Sequence, residues 1–246
     1  MRVGVYVDAY NLYYGARGHC GRSTAGWRWL DIRAMVTPYL GWPGADVQRV
    51  VYCTARVNQA DSPSARVDQD VYIRALLEHG SVDHVEEGRY VSWAKAAPLA
   101  APSGRSRRPR LYVSNGSEIL DPALPLKRTQ DDVTGDDIIL ATVRRREEKG
   151  SDVNVAAHLL RDVFSQAVDA AVVITNDSDL ALPLRLAREQ VPVGTINPQP
   201  GQLAGALRGS SGDGVGRHWW RQLGPTDFQR HQLPDPVGRN RKPKDW

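Results

Sequence analysis

Cysteine is nearly absent from this 246-residue chain: Cys20 and Cys53 are the only two. One falls in a glycine-rich stretch and the other in an apolar run that reads as a buried strand. No disulfide framework is expected, and the pattern suits a reducing compartment. No apolar run approaches the length needed to cross a bilayer. The first residues enter a strand pattern without a positive-then-apolar leader. The expectation is a cytoplasmic protein with no membrane partner. A P-loop is lacking, and the first strand is not followed by GxGxxG, so nucleotide-cofactor roles have little support. No cysteine–histidine spacing suggests zinc, and no serine elbow suggests a hydrolase triad. Charge of one sign is also scarce: 32 Lys and Arg stand against 28 Asp and Glu. That slight basic excess is weak support for a polyanionic partner. The length suits one α/β domain with appendages, enough to bury a core without staples.

What is present is an alternation of strand and helix patterns. Strands are expected over residues 2–7, 47–54, 82–91 (one strand or a pair), 170–174 and 191–197. Helices are expected over 30–40, 70–79, 136–148, 152–167 and 182–190. Pro183 places the start of the last helix near itself. Residues 94–130 carry many prolines and the basic run Arg105-Ser106-Arg107-Arg108-Pro109-Arg110. They read as an insertion with a short strand at Leu111-Tyr112-Val113. From Pro198 glycine and proline dominate, yet His218-Trp219-Trp220 and Trp246 are too apolar for a pure linker. This stretch is expected to pack on the domain or on a second subunit, and a homodimer is one option. Connections of these lengths suit right-handed crossovers. The expected fold class is therefore α/β, a mostly parallel sheet with helices on both faces, plus an insertion and a C-terminal extension.

The chemistry is expected at the ends of strands. Thr175-Asn176-Asp177-Ser178-Asp179 follows the apolar run Ala170-Ala171-Val172-Val173-Ile174, and Asp8 ends the first strand. In open α/β sheets ligands bind at strand C-terminal ends, and gathered acids repel unless a cation or proton is shared. Each acid also has a plainer reading. Asp8 could simply end a strand, with Asn11 making an Asx turn. Asp177 could cap a helix. Lys149-Gly150-Ser151-Asp152 could be a helix start, with Ser151 as N-cap and Asp152 in a favoured first-turn position. The same geometry could instead attract an anion, with Lys149 adding charge. Taken together, Asp8, Asp152, Asp177 and Asp179 would make an oxygen-rich site suited to magnesium or manganese.

Three segments then resemble a known family. Val5-Tyr6-Val7-Asp8-Ala9-Tyr10-Asn11-Leu12-Tyr13-Tyr14-Gly15 is similar to the opening motif of NYN-domain proteins, a branch of the PIN-like nuclease superfamily. Glu147-Glu148-Lys149-Gly150-Ser151-Asp152-Val153 resembles their second motif, and Val173-Ile174-Thr175-Asn176-Asp177-Ser178-Asp179-Leu180 their third. The resemblance covers roughly residues 2–198 and implies a Rossmann-like PIN fold with a metal-dependent ribonuclease centre. It implies Asp8, Asp152, Asp177 and Asp179 as metal-facing catalytic acids, supported by Asn11, Asn176 and Ser178, with Mg2+ or Mn2+ as cofactor. One departure stands out. Many NYN proteins carry a further acid in the second-motif helix, and the matching position here is His158. It is expected as a surface histidine on a polar stripe, or as a phosphate contact or proton donor beside the site.

The partner on this reading is RNA, single-stranded or with loops. Candidate contacts are Lys149, His158, Arg108, Arg110 and Tyr13, with the other basic runs as solvated surface or approach. Phosphate contacts of this kind give affinity without sequence choice, and Tyr10, Tyr13 and Tyr14 could stack on bases or pack in the core. A non-catalytic RNA-binding module is the alternative. A nucleotide-sugar or phosphoryl transferase using Asp177-Ser178-Asp179 ranks last, since it leaves Asp8 and Asp152 unexplained.

Overall fold

The computed structural model describes residues 1–59, 62–101, 109–244 and 246. The described chain contains strands β1 (Arg2–Asp8), β2 (Asp46–Ala55), β3 (His84–Pro98), β4 (Ala100–Ala101), β5 (Arg110–Leu111), β6 (Leu126–Gln130), β7 (Asp137–Lys149), β8 (Ala170–Ile174), β9 (Val193–Asn197) and β10 (Trp219–Gln222). Its helices are α1 (Ala9–Cys20), α2 (Ile32–Val36), α3 (Pro63–His79), α4 (Ser151–Phe164), α5 (Ala181–Arg188), α6 (Gly205–Arg208) and α7 (Pro225–Arg230). This is an α/β fold around a mixed, mostly parallel sheet of order β10-β9-β8-β1-β2-β3-β7-β6.

The chain divides into two compact units, residues 1–90 with 148–246, and residues 91–147. In the first, β1 pairs in parallel with both β2 and β8, β9 joins β8, and β10 joins β9. The central strands are apolar because both faces are covered: every residue of β8 and β9 is buried. Side chains alternate across β1. Val3, Val5 and Val7 join a core with residues of α1, α2, α3 and α7. Tyr6 points the other way, into a core with Val155, Leu159 and Val163 of α4 and Leu184 of α5. In the second unit, β6 and β7 are antiparallel, as are the short β4 and β5, and Val113 bridges Ile138.

Several elements differ from the sequence expectation. Residues 136–148, read as helix, form most of β7. The run Arg144 to Glu148 suits a helix by propensity, but Ile138 and Ile139 are buried, and β7 is held as strand between β6, which pairs with residues 137–141, and β3. Cross-strand packing overrides intrinsic preference. Residues 30–40 give only the short α2 followed by a 3-10 turn, Thr37–Tyr39, with Pro38 at its start. Cys20 ends α1 rather than lying in a loop, and both cysteines are free. The N-cap of α4 is Gly150 at φ 101°, not Ser151. Trp219 and Trp220 belong to the edge strand β10, and no described helix is long and apolar enough to cross a membrane.

Candidate active site

The strand order reverses direction at β1. The chain builds outward through β2 and β3, then returns to add β8, β9 and β10 on the other side. The crevice at the C-terminal ends of β1 and β8 is a topological switch point, where open α/β sheets bind ligands. Asp8 ends β1 and Thr175 to Asp177 follow β8.

Asp8 is 1% exposed. It caps α1: Oδ1 accepts from the Asn11 backbone N–H at 3.0 Å, and Oδ2 accepts from Asn11 Nδ2 at 2.8 Å. The Thr175 hydroxyl donates to the same Oδ2 at 3.0 Å. Burial pushes the Asp8 carboxyl up, the hydrogen bonds from Asn11 and Thr175 pull it back, and the charge of Asp177 raises it again. Asp177 follows at once: its N–H donates to Thr175 Oγ1 at 3.1 Å, and its own Oδ1 accepts from the Asp179 N–H at 3.0 Å. That bond caps the 3-10 turn Ser178–Leu180, which runs into α5. The capping role and a site role are therefore compatible for Asp177.

Asp152 reaches the same crevice from the first turn of α4. Its carboxyl is pushed up to about 7, first by burial, then by the negative charges of Asp8, Asp177, Glu148 and Asp179. The four aspartates of the sequence reading are thus drawn into one electrostatic group, and Glu148 joins it. Glu148 has a structural task as well: it accepts from the Ser151 backbone N–H at 3.2 Å and from the Ser151 hydroxyl at 2.6 Å, closing the entry to α4. The negative field extends to the buried Cys53 thiol, pushed up to about 12 by burial, then by Glu86, Asp8 and Asp152.

An all-oxygen donor set suits a hard divalent ion, and these residues fit one. Burial together with four other acids raises the Asp152 carboxyl, and a bound cation would offset that clustered charge.

The supporting residues form a brace around Asn11. Its Oδ1 accepts from the Asn176 N–H at 3.2 Å and from Gln199 Nε2 at 3.2 Å. Asn176 in turn ties down residues 202–204, with Nδ2 donating to the Gln202 carbonyl at 3.2 Å and Oδ1 accepting from the Ala204 N–H at 2.7 Å. Ser178 is exposed in the turn between the two acids. Thr175, Gln199 and Glu148 were not singled out from sequence. Thr175 stood inside the quoted motif, whereas Gln199 had no sequence signal.

The expected RNA contacts divide. Lys149 is exposed one residue before the Gly150 cap. Tyr13 is 43% exposed, with Tyr10 and Tyr14 similar; these rings are not core residues. They line a cleft of about 310 Å³ with Ala9, Arg17, Arg28, Tyr52, Tyr90 and other residues. Arg110 opens β5 in the second unit. Arg108, with Arg105 and Arg107, lies outside the described residues. His158 corrects the expectation of a surface histidine: its side chain is only 12% exposed, and Nε2 lies 3.0 Å from Glu86 Oε2. It turns inward because α4 packs against β2, with Leu159 fully buried beside it.

No family model matches the chain. A distant curated homologue, 6-hydroxy-3-succinoylpyridine 3-monooxygenase HspA of Pseudomonas putida (strain DSM 28022 / S16), is 25% identical over 272 residues, covering all of this chain and 75% of the relative. Among solved structures, VPA0982 of Vibrio parahaemolyticus RIMD 2210633, a protein of unknown function, covers 90% of this chain and 92% of its own, at 15% identity and a TM-score of 0.42.

Proposed function

We propose that the chain is a metal-dependent endoribonuclease of the NYN type, hydrolysing phosphodiester bonds in single-stranded RNA or RNA loops. One observation carries the reading: Asp8, Asp177, Glu148 and Asp179 gather around Asp152 at the switch point of a parallel sheet, and burial together with their charge raises its carboxyl to about 7. Asp8, Asp177, Asp179 and Asp152 would hold Mg2+ or Mn2+, which when bound neutralises charge on the phosphodiester and makes water a better nucleophile. Asn11 and Thr175 fix the Asp8 carboxylate in one orientation, and their three hydrogen bonds leave about one lone pair of Oδ1 for an ion. Asp152, at the start of α4, would hold a second ion or position the attacking water. The tyrosines of the cleft offer faces on which unpaired bases stack, with Arg17 and Arg28 beside them for phosphate.

The test is single-turnover cleavage of RNA by Asp177→Asn and Asp179→Asn at saturating Mn2+. On this reading both lose at least about 100-fold in rate. Full rates in both would remove the acidic centre from the chemistry. RNA binding without turnover by the unaltered protein would favour the non-catalytic module instead.

A second reading follows from the Pseudomonas homologue, which is named as a 3-monooxygenase of 6-hydroxy-3-succinoylpyridine. The aromatic cleft with Arg17 and Arg28 has the size and character for a small planar anion. Turnover of the compound in that name, with oxygen and an electron donor, would support it.

A further inference from the structure

We propose that His84, Glu86 and His158 form a binding site for a divalent transition-metal ion of the zinc and ferrous-iron class, distinct from the four aspartates. His84 and Glu86 stand two residues apart on β3, so their side chains share one face of the sheet. The register fixes which face. His84 lies opposite Val51 and Glu86 opposite Cys53, while Tyr6 and Asp8 face the same two residues of β2 from the other side. Glu86 is therefore level with Asp8 but two strands away, about 10 Å at ordinary interstrand spacing. Helix α4 crosses this face with Val155 and Leu159 in the core, and its His158 comes down onto β3.

The three side chains meet at one point. Nε2 of His84 and Nε2 of His158 each lie 3.0 Å from the same oxygen, Glu86 Oε2. The two imidazole rings are 5.0 Å apart between centroids, and all three ligand atoms lie within 4.8 Å of one another. Metal bonds of about 2.0–2.2 Å put neighbouring ligand atoms about 3 Å apart, so a small inward adjustment admits an ion. Two imidazoles and a carboxylate select zinc or ferrous iron over magnesium, which prefers oxygen and water. Among the described residues this is the group that reaches such spacing; the aspartates are coupled at longer range.

The site is backed on one side and open on the other. His158 is 12% exposed, whereas His84 and Glu86 are 42% and 40% exposed. Three protein ligands with an open side leave room for water or a substrate atom. Nδ1 of His158 is buried without a hydrogen-bond partner. In the metal-bound form that nitrogen carries the proton, and the absence of an acceptor weakens the site. An exchangeable ion is therefore expected, not a permanent structural one.

The site stands independently of the ribonuclease reading, and its test reads metal rather than cleavage. The full chain, stripped with EDTA, is titrated with zinc chloride by calorimetry and with cobalt(II) by visible spectroscopy. The expected result is one equivalent of ion with nitrogen ligation in the cobalt spectrum, besides any ion that the aspartates take. Binding should weaken by more than about tenfold in His84→Gln and in Glu86→Gln, both partly exposed and so compatible with folding, and persist in Asp8→Asn. X-ray absorption of the zinc-loaded unaltered protein gives a readout that needs no variant: two imidazoles are expected. An all-oxygen shell, unchanged binding in His84→Gln, or no zinc binding at all would overturn the proposal, leaving the cluster as a hydrogen-bonded tie between α4 and β3.

Discussion

Asn11 holds both oxygens of the Asp8 carboxylate, one through its backbone N–H at 3.0 Å and the other through its side-chain amide at 2.8 Å. The same side chain accepts from Asn176 and Gln199, so one amide links the end of β1 to the loops after β8 and β9. Asn11→Ala keeps the backbone cap and loses the rest. The expected stability cost is about 1 kcal/mol, read by urea unfolding. The loss in cleavage rate is expected to be larger, about 10- to 100-fold, because the Asp8 carboxylate loses one of its three donors and the loops after β8 and β9 lose their tie to it. Equal rates would separate Asn11 from function.

Asp152 ties stability to pH. Its carboxyl is raised from 3.8 to about 7 in the folded protein. Between those values the folded state keeps a proton that the unfolded chain has lost. Stability from this group is therefore present at low pH, falls as pH rises through that window, and levels off above it. Asp152→Asn should remove the slope. In EDTA at about pH 8 the variant should be more stable by on the order of 1–2 kcal/mol, a figure discounted for a half-buried group. Saturating Mn2+ should reduce or reverse the difference, since it stabilises only the protein that binds it. Melting curves across pH, with and without Mn2+, check both statements.

Asp162 was not picked out from sequence and belongs to the frame of the fold. It is buried, accepts from Arg49 Nη1 on both oxygens at 3.0 Å, and accepts from the Tyr6 hydroxyl at 3.0 Å. It thereby ties α4 to β1 and β2. Asp162→Ala leaves the partly exposed Arg49 and the buried Tyr6 hydroxyl without their acceptor. The expected cost is about 2–4 kcal/mol, with Tyr6→Phe costing about 1–2 kcal/mol. Chemical denaturation of the two variants and the double variant measures the coupling.

Gly15 lies inside α1, where alanine ordinarily stabilises by about 1 kcal/mol. Here the sign should invert. A Cβ at this position would meet the Pro198 carbonyl oxygen at 2.3 Å, and backbone cannot rotate away. Gly15→Ala should cost about 1–3 kcal/mol and displace the segment carrying Gln199, which bonds to Asn11. A gain in melting temperature would show that α1 and residue 198 are less tightly apposed.

Strands buried on both faces were the most legible part of the sequence. β8 and the interior of β1 are rich in apolar residues because both faces are covered, and acids at their ends stand out for the same reason. The face of α4 was legible through Val155, Leu159 and Val163. Elements whose structure is set by distant partners were not. β7 carries helix-forming residues and is a strand through its pairing with β6 and β3. β10 joins the sheet because Trp219 lies over Gly194, where any Cβ would meet its ring at 2.2 Å. His158 stood out in the sequence, but its partners His84 and Glu86 lie on an element far away in the chain and left only an HxE spacing on a strand.

The most direct measurement is cleavage of an end-labelled, mixed-sequence RNA by the purified full chain in Mn2+, Mg2+ or EDTA, beside Asp8→Asn. Circular dichroism of the variant establishes that it is folded. The expected result is cleavage that requires a divalent ion and is lost in Asp8→Asn. Metal-dependent cleavage at an undiminished rate by folded Asp8→Asn would contradict an acidic catalytic centre at the β1–β8 switch point.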